Sequence, residues 1–373
     1  MMNWTTAENI LCIRLDTIGD VIMTTPALRS LKTSRPQRRI TLMTSAAGAA
    51  IAPQIAEIDE VIVYDAPWLK ATAPRISSTP EFQMIEQLRR RQFDAAVIFT
   101  VYSQNPLPSA FLCYMADIPL RLAHCHENPY QLLTDWIKDP EPEQLIRHEV
   151  RRQLDLVASV GCTATDNRLS LQIPQTAVER CQQLLMELGI QRDRPWVVIH
   201  AGATAPSRRY PPENFAIVAR QLVQQAGIQV VFTGTAPEVE LVESIRLAMG
   251  VPSHSLVGCL NLAELTALLS LASLLISNNT GPVHIAAAVG TPVVDLYALT
   301  NIQHTPWEVP HRVLYHDVPC RICYKSICPQ GHHDCLRLIE PKTVVEATLD
   351  LFNELDLFKE TDNQKLSLLQ ARV

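Results

Sequence analysis

The chain begins without the basic stretch and long apolar core of a secretory signal; residues 1–10 are mixed in character, and a secreted protein is not expected. Its most apolar stretch, residues 262–276, carries Glu264 and falls short of the roughly 20 apolar residues that cross a bilayer. A membrane anchor is therefore not expected, and a cytoplasmic location follows. No 20–50-residue period recurs, which excludes a solenoid, and no low-complexity tract is present apart from a polar tail after Phe358. Positive charge is also in deficit: 32 Lys and Arg against 38 Asp and Glu leave a net charge of -6, the wrong sign for a protein that holds a phosphate backbone. Finally, no G-x-G-x-x-G follows the first strand pattern, so a dinucleotide fingerprint is absent there.

What is present describes a packed enzyme of two domains. With 373 residues, 47% hydrophobic and 19% charged, the chain is long for one domain and can bury two substantial cores. Basic clusters occur at Arg35 with Arg38 and Arg39, at Arg89–Arg91 and at Arg151–Arg152. They read either as solvated helix faces or as contacts to an anionic membrane or acceptor. Six of the ten cysteines are scattered, several of them in apolar stretches, as small core residues would be in a reducing compartment.

Short β-rich runs alternate with amphipathic segments along most of the chain. Strands are expected over 10–15, 40–44, 61–64 and 95–100, with helices over 27–31 and 82–91 between them. A less regular region, 119–142, precedes a helix over 150–160 and a short apolar run at 169–173. A helix from Pro174 to near Gly189 reads as the connection between domains. The second half repeats the pattern, with strands over 196–200, 229–233, 274–277 and 292–297 and helices over 212–226, 237–249, 263–271 and 281–289. The expected fold class is α/β: two doubly wound Rossmann-like domains facing each other across a cleft lined by strand carboxyl ends. The boundaries expected are 1–174, 175–345 with a Cys-rich segment at 318–336, and 346–373 as a C-terminal helix and polar tail.

Three motifs follow strands, where such sheets bind ligands. After the first strand comes Leu15-Asp16-Thr17-Ile18-Gly19-Asp20. Gly19 permits a tight turn and close ligand approach on the acceptor side, and Asp20 stands at a helix start. Asp20 is read either as a catalytic base or as a helix-capping residue. After the strand at 196–200 come Thr204, Ser207 and Arg208. Two hydroxyls and a fork-shaped cation suit phosphate oxygens, although Arg208-Arg209 also reads as a solvated loop pair. The third motif is Asn279-Thr280-Gly281-Pro282-Val283-His284, a polar turn into a helix rich in alanine whose first N–H groups can hold a diphosphate. His284 reads as reaching the same anion or as a structural hydrogen-bonder. Between them, Glu238 follows another strand and suits either a ribose or base contact or the first turn of its own helix.

In this order and spacing the motifs resemble glycosyltransferase family 9, the heptosyltransferases of lipopolysaccharide assembly, across roughly residues 10–350. The resemblance implies a GT-B fold and an inverting, metal-independent transfer from an ADP-heptose type of donor bound mainly by the C-terminal domain. It implies a glycolipid acceptor at a membrane surface, and no cofactor is expected. Asp20 matches the family's catalytic aspartate. Arg208 falls where a phosphate-binding lysine is usual, and Thr280, Gly281 and His284 fall in the diphosphate turn; Asn279 replaces a usual aspartate. A monomer is expected.

Cys320, Cys323, Cys328 and Cys335 are spaced C-x2-C-x4-C-x6-C, with His332 and His333 inside the span. Four thiolates so close suit a structural zinc or iron–sulfur site, with reduced thiols or local disulfides as the other readings. A similar segment occurs in part of the family. The rival functions are transfer or epimerisation of another nucleotide sugar, and a metal-binding redox or regulatory protein centred on these cysteines.

Overall fold

A computed structural model of the chain describes residues 2–69, 72–191 and 194–358. The chain divides into two compact units, Met1–Ser170 and Leu171–Val373. The polar tail expected after Phe358 lies outside the described residues.

The first unit is a six-stranded parallel sheet. Its strands are β1 (Asn9–Arg14), β2 (Arg39–Thr44), β3 (Glu60–Val63), β4 (Ala95–Ile98), β5 (Leu120–Cys125) and β6 (Asp135–Lys138), in the order β3-β2-β1-β4-β5-β6. The helices are α1 (Ile18–Ser34), α2 (Ala46–Ala49), α3 (Thr79–Arg90), α4 (Leu107–Met115) and α5 (Glu149–Ala158). Central strands are fully apolar because both faces are covered; Ile10 to Ile13 and Ala95 to Ile98 are all buried.

Helix α1 starts nine residues before the segment expected over 27–31, and Pro26 lies inside it. Proline removes the N–H that would bond to Ile22, four residues back. The Thr25 hydroxyl donates to that Ile22 carbonyl instead, at 2.8 Å, so the helix runs on. The region 119–142, expected to be irregular, contains β5 and β6 and ends in a buried charge cluster. There Arg152 binds Asp139 and Glu141, with Nη1 to Glu141 Oε2 at 2.7 Å.

Of the clustered arginines Arg38 and Arg152 are buried, and the others lie at the surface in ion pairs. Arg38 is buried and donates to the carbonyls of Ala7, Leu31 and Trp4. Arg35 pairs with Glu8, Arg39 and Arg91 with Glu60, Arg89 with Asp117, Arg90 with Glu86 and Arg151 with Asp155. These pairings favour the solvated or structural reading over a membrane-facing one.

The second unit repeats the plan. Its strands are β7 (Trp196–His200), β8 (Gln229–Thr233), β9 (His254–Ser255), β10 (Leu274–Asn278), β11 (Val293–Leu296) and β12 (His311–Leu314), in the order β12-β11-β10-β7-β8-β9. Counted from its own first strand this is again 3-2-1-4-5-6, the dinucleotide-fold order. The helices are α6 (Gln175–Glu187), α7 (Pro212–Ala226), α8 (Val239–Met249), α9 (Leu262–Leu271), α10 (Gly281–Val289), α11 (Asp334–Arg337) and α12 (Pro341–Glu354). Helix α6, read from sequence as a connector, belongs to this unit, and Cys181 on it donates to the Glu264 carbonyl of α9. Helix α12 buries Val344, Val345, Leu351 and Phe352 in the core around Val197, Val230 and Ile276.

In each sheet the order reverses between its first and fourth strands, β1/β4 and β7/β10. Ligands of open α/β sheets bind outside the carboxyl ends at that point. The first motif follows β1, the second follows β7 and the third follows β10.

Candidate active site

In the first unit, Arg14 ends β1 and is fully buried. Its guanidinium gathers three carboxylates: Asp16 at 3.0 Å, Asp20 at 3.1 Å and Glu149 of α5 at 2.7 Å. Asp20 is the third residue of α1 and completes a capping box. Its Oδ2 accepts from the Thr17 amide at 3.1 Å and the Thr17 hydroxyl at 2.8 Å. The two readings of Asp20 are thus compatible, since the cap holds in place a carboxylate that stays partly open to solvent, 15% exposed at the side chain. Gly19 beside it is buried.

Sequence reading passed over Asp16 as a site residue. Burial pushes its carboxyl up to about 6, against the Arg14 charge and with help from Asp20. Gln104, from the segment after β4, donates to Asp16 Oδ1 at 2.5 Å. Glu149 is likewise raised by burial, opposed by Arg14 and Arg152. The segments after β1 and β4 therefore build one charged cluster at the point where this sheet reverses.

In the second unit, Asn278 ties two motifs together. This buried side chain at the end of β10 donates to the Ala201 carbonyl at 2.8 Å and accepts from the Tyr210 amide at 2.9 Å. The loop after β7 is thereby fastened to the turn after β10. Asn278 was also missed as a site residue; the only sign in the sequence is a polar pair closing an apolar strand.

On that loop Thr204 is exposed and Arg208 half-buried in a 3-10 turn, Pro206–Arg208. Arg209 bends back, its Nε donating to the Ala203 carbonyl at 2.8 Å. Among the described residues Arg208 makes no side-chain hydrogen bond or ion pair, so the two arginines differ in role. The turn is anchored by Ser207, whose hydroxyl donates to the Lys325 carbonyl at 2.8 Å and whose amide donates to that of Ser326 at 3.1 Å.

Thr280 precedes the first turn of α10, and no side chain caps that turn. Pro282 has no N–H and the Val283 amide donates to the Thr280 carbonyl at 3.0 Å, so what favours an anion there is the helix dipole. Gly281 faces open space, for a Cβ built there meets no atom within 4 Å. Its glycine character is not demanded by packing and leaves room for a close ligand. His284, one turn on, is buried, as is Asn279, whose Nδ2 donates to Asp295 at 2.8 Å and to the His304 carbonyl at 3.0 Å.

Glu238 accepts from the Thr235 amide at 2.7 Å and hydroxyl at 2.9 Å, the capping box of its own helix start. Its carboxylate also lies over Gly202, where any Cβ would collide with it. Nearby, His200 at the end of β7 is held neutral by burial, which lowers its basicity against the pull of Glu238.

The model of the family described as glycosyltransferase family 9 (heptosyltransferase) matches residues 82–333. The chain belongs to glycosyltransferase family 9. It is 29% identical over 364 residues to lipopolysaccharide heptosyltransferase 2 of Salmonella typhimurium, covering 92% of this chain and 99% of the relative. Among solved structures it resembles a family 9 glycosyl transferase from Veillonella parvula (TM-score 0.75, 22% identity, 95% and 98% of the two chains). It also resembles E. coli ADP-heptose lipopolysaccharide heptosyltransferase II (TM-score 0.70, 23%, 93% and 99%). The protein is a glycosyltransferase enzyme of GT-B fold.

The four clustered cysteines of this glycosyltransferase are half-buried free thiols that line one small cavity with His332 and His333. Cys320 Sγ lies 3.6 Å from His332 Nε2. Among the described residues no group of three or more His, Cys, Asp or Glu is arranged to hold a metal ion. Of the six scattered cysteines five are buried and one, Cys259, is exposed. Among the described residues no helix is long and apolar enough to cross a membrane.

Proposed function

We propose that this enzyme transfers a heptose from an ADP-heptose donor, with inversion, to a hydroxyl of a lipopolysaccharide-type glycolipid. The observation that carries this reading is the pair of turns joined by Asn278, one bearing an uncommitted cation, Arg208, and the other an uncapped helix start at Thr280-Gly281. Together they suit a diphosphate. Heptosyltransferase relatives of similar length along nearly the whole chain support the sugar and the acceptor.

In the proposed reaction Asp20 accepts the proton of the acceptor hydroxyl while that oxygen bonds to the anomeric carbon. The bond from that carbon to the diphosphate breaks, and ADP leaves with the electron pair. The N-terminus of α10, Arg208 and Thr204 meet the charge that develops on the leaving group, a role a metal ion fills in other transferases. Asn279 and His284 line the same turn, and Glu238 is assigned to the nucleoside. To act as base, Asp20 exchanges one of its contacts with Thr17 for the incoming hydroxyl. The enzyme works as a cytoplasmic monomer on an acceptor at the inner membrane face.

Asp20→Ala should lower the transfer rate by about 10²–10⁴-fold, the usual share of a general base, while ADP affinity by calorimetry stays within about twofold. Near wild-type turnover in this variant would remove Asp20 from the mechanism.

A further inference from the structure

Directly beneath the Thr280-Gly281 turn lies a carboxyl group with no assigned role. Asp295, in β11, is fully buried beside β10. Its Oδ2 accepts from Asn279 Nδ2 at 2.8 Å, and its Oδ1 is buried with no hydrogen-bond partner among the described residues. A buried carboxylate half-satisfied in this way is costly as an anion and acceptable as a neutral acid. Arg208, on the turn after β7, acts on it through its charge and is the cation it faces. Tyr297, just past β11, is the other titratable neighbour, and burial foremost keeps its phenol protonated well above its ordinary range. The same Tyr297 belongs to a polar network with Asn301, at 3.0 Å, and His304, whose carbonyl accepts from Asn279.

We propose that Asp295 is a positioning residue for the donor turn, which it supports through Asn279, and that it takes up a proton when the nucleotide diphosphate binds. This rests on the donor site assigned above. An ionised Asp295 would compete with the diphosphate for Arg208 and repel it across Asn279; a protonated one does neither. Burial already raises this carboxyl to about 8, so the exchange falls where an experiment reaches it. The sign follows from linkage. The bound diphosphate raises Asp295 further, so binding draws part of a proton from solvent above the free-state value, and ADP affinity falls as pH rises through it.

The test is calorimetric titration of the intact protein with ADP from about pH 7 to about pH 9.5, in two buffers of different ionisation enthalpy, with thermal melts as a folding check. Wild type should take up a fraction of a proton per ADP above about pH 8, and its affinity should drop at least about threefold across the range. Asp295→Asn keeps an acceptor for Asn279 but cannot ionise, and should bind ADP with a nearly flat pH profile. Parallel profiles for the two proteins, or no proton uptake by wild type, overturn the proposal, and the wild-type measurement decides even if the variant misfolds. Arg208→Ala separates the two readings: if it binds ADP as tightly as wild type, the donor site itself is misplaced. If it binds weakly while wild type takes up no proton, only the role of Asp295 falls.

Discussion

A single buried guanidinium, Arg14, serves three carboxylates, one buried and two only partly open to solvent, so their charges exceed what it offsets. Asp16 bears the consequence, raised to about 6 chiefly by burial. In the unfolded chain it titrates near 4, so between these values the folded state holds more protons and stability falls as pH rises. Asp16→Asn keeps an oxygen for Gln104 and removes that titration. The melting temperature of the variant relative to wild type should therefore increase from about pH 4.5 to about pH 7. A constant difference across that window, measured by calorimetric scans, would mean that Asp16 is not the titrating group. The place of Asp20 at a helix start was legible from its motif, whereas the setting of Asp16 was not, because it is built by Gln104 and Glu149, 88 and 133 positions away.

At the scale of elements, the Cys-rich segment acts on the proposed donor turn through two backbone carbonyls. Lys325 and Ser326 hold Ser207, the residue before Arg208. Ser207→Ala removes one buried hydrogen bond of about 1 kcal/mol and should loosen the turn. We expect ADP to bind about threefold more weakly with little change in melting temperature; unchanged affinity would show that the turn holds its shape by itself. Most central strands and long helices of both units could be read from the sequence because burial makes them apolar; β5, central but broken by Arg121 and His124, could not. Of the four edge strands only β3 was expected; β6 is Asp-Trp-Ile-Lys, β9 has two residues and β12 is half-buried throughout, so none of these three carries a run or a period. The early start of α1 was hidden by Pro26, whose missing donor is replaced by the Thr25 hydroxyl, a substitution that propensity alone does not reveal.

For the whole molecule, each unit has its own sheet of six parallel strands and its own core. Every contact that shapes the proposed donor site, from Asn278 to Ser207 and Asp295, lies within the second unit. A fragment beginning at Leu171 should fold and bind ADP within about threefold of the full chain, with no transfer activity, as an autonomous domain would. A folded fragment that fails to bind ADP in calorimetry would show that the donor site needs the first unit.

The carboxylate of Glu238 over Gly202 alters what a mutational survey of this loop can mean. A methyl group at position 202 would strike Glu238 before it met any nucleotide, and would evict that carboxylate from the amide and hydroxyl of Thr235. Weak donor binding in Gly202→Ala would report displacement of Glu238, the proposed nucleoside contact, rather than a lost contact of residue 202 itself. The loop's own reach toward a nucleotide becomes readable only when residue 238 is shortened in the same chain.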